Sequence, residues 1–251
     1  MNIYRGCTHG CIYCDSRSDC YGFDHRFEDI AVKQNAPELL ENALRRKRKP
    51  CMIGTGAMCD PYMHCEESLG YTRKCLEIID KYDCGVAIQT KSARILRDID
   101  LLEKINRHSK AVVQITLTTY DENLCRIIEP NVSTTKQRYE VLKECQRRGI
   151  LGYCFDAGVI GIINFGFGVT MRSGNREYFY GKLDEHFTGM KERYIKRFGD
   201  AYECPSDNST RLWSIFRREC LAHGVMQNPG EIFAYMNEYP TVNKQMSLFD
   251  F

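Results

Sequence analysis

Three cysteines near the start of the chain are spaced for metal chemistry. The segment Tyr4-Arg5-Gly6-Cys7-Thr8-His9-Gly10-Cys11-Ile12-Tyr13-Cys14 sets them as C-x3-C-x2-C, so one small loop can deliver three thiolates. Gly6 and Gly10 let the backbone fold tightly around whatever those thiolates hold. A [4Fe–4S] cluster normally takes four cysteines, so three leave one iron open. An open iron can chelate the amino and carboxylate groups of S-adenosylmethionine (SAM). An electron from the cluster then breaks the sulfonium bond and yields a 5′-deoxyadenosyl radical, chemistry that belongs to the cofactor. The competing chemistry is a structural zinc site with His9 or Cys20 as fourth ligand. Common zinc patterns use two C-x2-C knuckles or a His-x3-His pair, and neither occurs here.

Fourteen cysteines in 251 residues would suggest disulfides in a small secreted protein, but this chain is large and shows no export signal. Reduced thiols with metal ligation are expected instead. No apolar run is long enough to cross a bilayer, so a cytoplasmic protein with no membrane partner is expected. The net charge of +2 excludes a strong chain-wide pull on nucleic acid and leaves room for a local basic face.

The elements that must position the triad alternate. Asn35 and Pro37 open a helix with Leu39, Leu40, Ala43 and Leu44 on one side. A strand follows at residues 51–55, then a helix through Leu69, Thr72, Leu76 and Ile79. Strands are expected at 85–90, 111–118 and 159–165, and helices at 94–105 and 136–148, the last stopped by Gly149. Such alternation predicts an α/β fold, a parallel sheet covered by helices and either open or curled into a barrel. In barrels, ligand chemistry gathers at the carboxyl ends of the strands, here Gly54-Thr55-Gly56, Gln89-Thr90-Lys91 and Thr116-Leu117-Thr118-Thr119. One junction is anomalous: residues 151–157 read as the close of a second helix directly after Gly149-Ile150. A strand and a helix start are missing there, as a deletion or a gap in the sequence would leave them. From Asn175 the chain is helical and aromatic, and after Pro240 it is a short polar tail.

The triad, with an aromatic residue before its last cysteine, resembles the radical SAM superfamily. The longer string from Asn2 to Cys14 is similar to the spore photoproduct lyase-related branch. So are Gly54-Thr55-Gly56-Ala57-Met58-Cys59-Asp60-Pro61-Tyr62, Gln89-Thr90-Lys91-Ser92, Glu129-Pro130 with Arg138, and Gly174-Asn175-Arg176-Glu177-Tyr178-Phe179. The resemblance implies a partial (β/α)6 radical SAM barrel over residues 1–198 that lacks its fifth strand, at Ile150/Leu151. A helical C-terminal extension would occupy 199–240 and a loose tail 241–251. It also implies a [4Fe–4S] cluster on Cys7, Cys11 and Cys14, SAM as cosubstrate, and a reducing donor such as a flavodoxin or ferredoxin.

Further roles follow from the same resemblance. Tyr13 lies where adenine is contacted, and Thr55, Gly56 and Asp60 lie where the superfamily contacts the SAM amino group. Thr116 and Thr118 can reach ribose or substrate, Lys91 a carboxylate or phosphate, and Glu129 with Arg138 can pair near the cofactor or on the surface. Gly166-Phe167-Gly168 permits close approach to adenine. The lyase's hydrogen-donating cysteine is replaced by Ala57, leaving Cys59 as a nearby candidate donor. The expected function is SAM cleavage and hydrogen abstraction from an unidentified substrate, with damaged or modified nucleic acid as one class. A non-catalytic iron–sulfur adaptor and a degenerate copy stand as alternatives. The run Arg45-Arg46-Lys47-Arg48-Lys49 is either a phosphate contact or a solvated helix end. Gln245-Met246-Ser247-Leu248-Phe249 resembles the peptide by which bacterial repair proteins dock on the DNA sliding clamp, an amide and two apolar anchors on a flexible tail.

Overall fold

The computed structural model describes residues 1–150 and 159–239. Its centre is a parallel sheet of β3 (Met52–Thr55), β4 (Gly85–Thr90) and β5 (Ala111–Ile115), in that spatial order, with Thr55 beside Ile88 and Thr90 beside Ile115. Parallel neighbours need a crossover between them. Helix α3 (Tyr71–Lys81) supplies the first, preceded by a short turn α2 (Glu66–Leu69); α4 (Ile99–His108) supplies the second. Residues alternate across a strand, so the sheet has two different faces. Val86, Ile88, Ala111, Val113 and Ile115 are buried against Leu76 and Ile79 of α3, Leu102 and Ile105 of α4, and Leu142 of α6 (Thr135–Arg147). Gly54, Ala87, Gln89 and Gln114 take the opposite face and line a cavity.

Strand β4 runs over the residues expected from sequence, because apolar β-branched side chains and the flanking glycine agree with its burial. Elsewhere tertiary packing overrides local pattern. The helix expected at 94–105 begins as a 3-10 segment, Ala93–Asp98, and becomes α-helical only at Ile99. Leu39 of α1 (Ala36–Arg45) is 50% exposed, since α1 meets the core through Ala36 and Leu44. The strand expected at 159–165 is corrected. Those residues form a single parallel bridge, Gly161 with Met226, and Phe165 is 86% exposed. Among the described residues no β-strand runs alongside this stretch, and its backbone bonds go to Met226 in the loop before α10 (Pro229–Met236). The junction after Ile150 and the tail motif 245–249 lie outside the described residues.

Two antiparallel pairs complete the strands: β1 (Tyr4–Arg5) with β2 (Ala31–Val32), and β6 (Gly168–Thr170) with β7 (Glu203–Pro205). The aromatic segment forms α7 (Asn175–His186) and α8 (Met190–Phe198), which share an apolar cluster with Ile12 of the cysteine loop. Cys220 of α9 (Ser209–Ala222) and Ile232 and Met236 of α10 join the core of the sheet. No described helix is long and apolar enough to cross a membrane.

A charged network locks the crossovers. Buried Asp98 accepts from Arg73 at 2.9 Å, Arg97 at 2.7 Å and the Tyr62 hydroxyl at 3.2 Å. Buried Glu66 accepts from Arg97 at 2.8 Å and from the Thr72 amide, and it receives the Tyr4 hydroxyl. Asp98→Ala removes the acceptor of the Tyr62 hydroxyl and one acceptor from each of two guanidinium groups, Arg97 keeping Glu66 and Arg73 keeping Asp100. We expect a loss of about 3 kcal/mol in urea unfolding, because a buried charge network is broken from one side. A change under about 0.5 kcal/mol would show that solvent already satisfies these groups.

Candidate active site

The cysteine loop follows β1 and has its shape imposed from outside. The Cys7 amide donates to Phe27 O at 3.0 Å and the Ile12 amide to Ile128 O at 3.0 Å. Asn131 donates its amide to His9 O at 3.1 Å and its side chain to Thr8 O at 2.9 Å. Gly6 has φ +90°, and a Cβ there would lie 2.4 Å from Phe27 O, so only glycine allows this approach. The stretch that grips the loop follows α5 (Glu122–Ile128), an element the sequence reading missed. Its signal was Asp121, whose carboxylate caps the helix by accepting from Asn123 and Leu124.

Cys7 and Cys11 are buried and Cys14 is half-buried, all as free thiols. Together with His9, Asp60 and Lys91 they line a cavity of about 100 Å³. Burial pushes the Cys7 thiol up to about 11 and the Cys11 thiol up to about 12. Such thiols ionise when a bound cation stabilises the thiolate. Among the described residues no three His, Cys, Asp or Glu side chains converge as they must around one metal ion. Three thiols bordering one cavity suit a multi-iron cluster, whose cysteines attach to separate irons. The buried Nε2 of His9 has no hydrogen-bond partner among the described residues, while its Nδ1 lies 3.4 Å from Asp60.

Asp60 fastens this loop to the sheet. Its Oδ1 accepts from the Tyr62 amide at 2.8 Å and the Thr90 hydroxyl at 2.7 Å, and its Oδ2 from the Lys91 amide at 2.7 Å. The carboxylate expected to meet the SAM amino group is therefore already engaged by protein donors. Gly56 has φ +101°, and a Cβ there would fall 1.9 Å from Gln89 O, so the ends of β3 and β4 cross in direct backbone contact. Thr55 is buried at the close of β3 and borders the larger cavity described below.

Glu129 and Arg138 form a pair at 2.9 Å with both side chains fully buried. Arg138 also donates to Thr116 O at 2.7 Å and to the Cys125 sulfur at 3.0 Å, a neighbour not singled out from sequence. The Tyr13 and Thr118 hydroxyls both donate to Glu129, the latter at 2.8 Å, and the Lys91 ammonium is 3.9 Å away. Burial by itself raises the Glu129 carboxyl. The charges of Lys91 and Arg138 and the two hydroxyl donors outweigh it and hold the group below its ordinary value. Burial and Glu129 push the Tyr13 phenol up, so it stays protonated as a donor.

The small cavity shares Ala57, Met58, Gln89 and Thr116 with a second cavity of about 850 Å³ at the carboxyl ends of the strands. Ile162, Ile163, Phe165, Phe233 and Met236 form its apolar wall, with the amides of Gln89 and Gln114 on the sheet side. Among the described residues no acidic or basic side chain lines it, although Met1, whose ammonium donates to Gly54 O, stands at its border. Ala57 borders both spaces. Cys59 is buried, donates to Tyr4 O at 2.9 Å, and has its thiol pushed up to about 12 by burial. Gln114 was not singled out from sequence and Gln89 only within the strand end Gln89-Thr90-Lys91; the register that pairs Gln89 with Gln114 sets both on the cavity face.

The ion pair gives the clearest test of this site's construction. Arg138→Met leaves Glu129 buried with its nearest cation at 3.9 Å. Equilibrium unfolding should show a loss of about 3–5 kcal/mol, the cost of orphaning one partner of a buried pair. A loss below about 1 kcal/mol would mean that water reaches Glu129.

With this geometry in view, comparison with known proteins is informative. The chain is 33% identical over 162 residues to an uncharacterized protein of Methanocaldococcus jannaschii, covering 64% of this chain and 60% of that protein. It is 24% identical over 225 residues to an uncharacterized protein of Mycobacterium bovis, covering 77% of this chain and 65% of the relative. It thus spans about 60–65% of the length of these relatives. Spore photoproduct lyase with bound AdoMet and a dinucleoside spore photoproduct superposes with a TM-score of 0.56, at 14% identity, over 90% of this chain and 74% of that one. A second lyase structure, complexed with dinucleoside spore photoproduct, gives 0.55 at 14% identity, and both likenesses speak to the α/β fold alone. The radical SAM superfamily model matches residues 1–173, with the cysteine loop and the whole parallel sheet inside the match. That family's cofactors are a [4Fe–4S] cluster and SAM, and the three thiols and their cavity suit the cluster. The chain belongs to the radical SAM superfamily.

Proposed function

We propose that the protein cleaves SAM reductively at a cluster held by Cys7, Cys11 and Cys14 and abstracts hydrogen from a substrate in the larger cavity. The observation that carries this reading is the common border of the two spaces: a cavity bordered by three thiols shares Ala57 and Thr116 with one that has no charged side chain among the described residues. When bound, the cluster and SAM supply the electron transfer and the hydrogen-abstracting radical. The chain's residues hold and orient. Lys91, beside the thiols and backed by Glu129, offers a cation to the SAM carboxylate. Thr55, Gly56 and Thr116 line the path for the amino group and ribose, and Tyr13, its hydroxyl anchored on Glu129, offers its ring or backbone to adenine. Asp60 acts through the loop that it fastens. Residues 1–198 form the catalytic portion, and 199–240 contribute α10 to the cavity wall.

The described lining of the cavity carries no charged side chain and offers the amides of Gln89 and Gln114 beside the rings of Phe165 and Phe233. An uncharged planar group with amide-type donors and acceptors, such as a nucleobase, suits it. The dinucleoside bound by the structurally similar lyase supports the nucleic-acid class. A base within a duplex would have to be extruded to reach the thiols. Reversal of a photoproduct is a poorer match, because Ala57 is not a thiol and the Cys59 thiol is held by Tyr4. A low-potential donor such as a flavodoxin or ferredoxin would supply the electron, and residues 245–249 are the segment for sliding-clamp docking.

Anaerobically reconstituted protein given dithionite and SAM should release 5′-deoxyadenosine, and the Cys7→Ala, Cys11→Ala, Cys14→Ala variant should release none. Cluster uptake without cleavage of SAM would instead mark a non-catalytic iron–sulfur protein. Lys91→Ala should weaken SAM binding about tenfold, near 1.4 kcal/mol, with iron content unchanged. Unaltered affinity in equilibrium dialysis would remove Lys91 from the carboxylate site.

A further inference from the structure

At the opposite end of the sheet from the proposed active site, two thiols face one another. Cys51 immediately precedes β3 and Cys84 immediately precedes β4, and their sulfurs are 3.9 Å apart. The register explains the approach: Met52 pairs with Gly85, and the Gly85 amide donates to Cys51 O at 3.0 Å, so the two cysteines lie side by side on adjacent strands. Neighbouring strands lie about 4.8 Å apart. That spacing falls within the Cα separations that a disulfide bridges without moving the backbone. Cys84 is buried and Cys51 half-buried, so one sulfur of the pair is the more approachable. Neither takes part in the cluster chemistry.

We propose that Cys51 and Cys84 form a redox-active dithiol that closes to an intramolecular disulfide, with a low-molecular-weight disulfide as oxidant. Cys51 loses its proton to solvent and attacks one sulfur of the oxidant RSSR, forming a mixed disulfide and expelling one thiolate, which takes up a proton. Cys84 then gives up its proton and attacks the Cys51 sulfur, expelling the second thiolate, which is protonated in turn. Two protein thiols lose two electrons and RSSR becomes two RSH. The order of attack follows from burial. The exposed run Arg45-Arg46-Lys47-Arg48-Lys49 is separated from Cys51 by Pro50 alone; burial pushes the Cys84 thiol up, and Lys47 works against that rise. A cationic approach favours a thiolate and an anionic oxidant such as glutathione disulfide. This gives the basic run a role that the active site does not supply. The bond would join the amino ends of the strands whose carboxyl ends carry Gly56 and Lys91.

The test uses the full chain with its cluster, treated anaerobically with glutathione disulfide, alkylated without reduction and mapped by mass spectrometry. The peptide containing Cys51 should appear joined to that containing Cys84, two hydrogens lighter than the separate thiols, with iron and sulfide content unchanged. The melting midpoint should rise by about 5–10 °C, since the crosslink restricts the unfolded chain. Cys84→Ser should stop at a glutathione adduct on Cys51, and Cys51→Ser, a change at the more exposed position, should give neither product nor the midpoint shift. Recovery of Cys51 and Cys84 as separately alkylated peptides under excess oxidant would overturn the proposal, as would Cys51 joined to any other cysteine.

Discussion

The loop that carries Cys7, Cys11 and Cys14 has no ladder or helix of its own, so distant segments dictate its conformation. Phe27 holds one end, while Ile128 and Asn131 hold the other through three backbone or side-chain bonds. Three thiols can border one cavity only if these restraints agree. Asp60 and Glu129 make them agree, because each buried carboxylate gathers donors from several parts of the chain. Asp60 draws the loop through His9 toward the ends of β3 and β4, and Glu129 draws Tyr13 toward Arg138 on α6.

Buried carboxylates are costly unless fully partnered, and this cost explains the density of donors around both. Glu129 is met by a guanidinium, two hydroxyls and a nearby ammonium. Around an iron–sulfur cluster such saturation has a further consequence. A carboxylate already satisfied by protein has little capacity to compete for iron. The residues near the thiols thus divide into struts, Asp60 and Glu129, and groups with remaining capacity, chiefly Lys91 and Thr116.

The larger cavity follows a different principle. The parallel sheet buries its β-branched face under helices and turns glycine, alanine and glutamine toward the open space. Small residues in the strand interiors make room, and amides at the carboxyl ends give direction without charge. Among the described residues the charged side chains gather on the cysteine side, where Lys91 meets Glu129. This separation gives the two adjoining cavities surroundings of different polarity.

Cysteine spacing, strand–helix alternation and the stop at Gly149 were legible in the sequence, because thiol ligation and backbone propensity are local properties. The family could be recognised on those grounds, as could the extent of β4. The saturation of Asp60, the full burial of the Glu129–Arg138 pair and the turning of Cys59 toward Tyr4 could not, since each depends on donors tens of residues away. The same reason governs the stretch 159–165, whose apolar pattern suits a strand but whose neighbours do not form one, and the meeting of Cys51 with Cys84. Residue types set which bonds were available to this chain; only folding in three dimensions decided which partners arrived to make them.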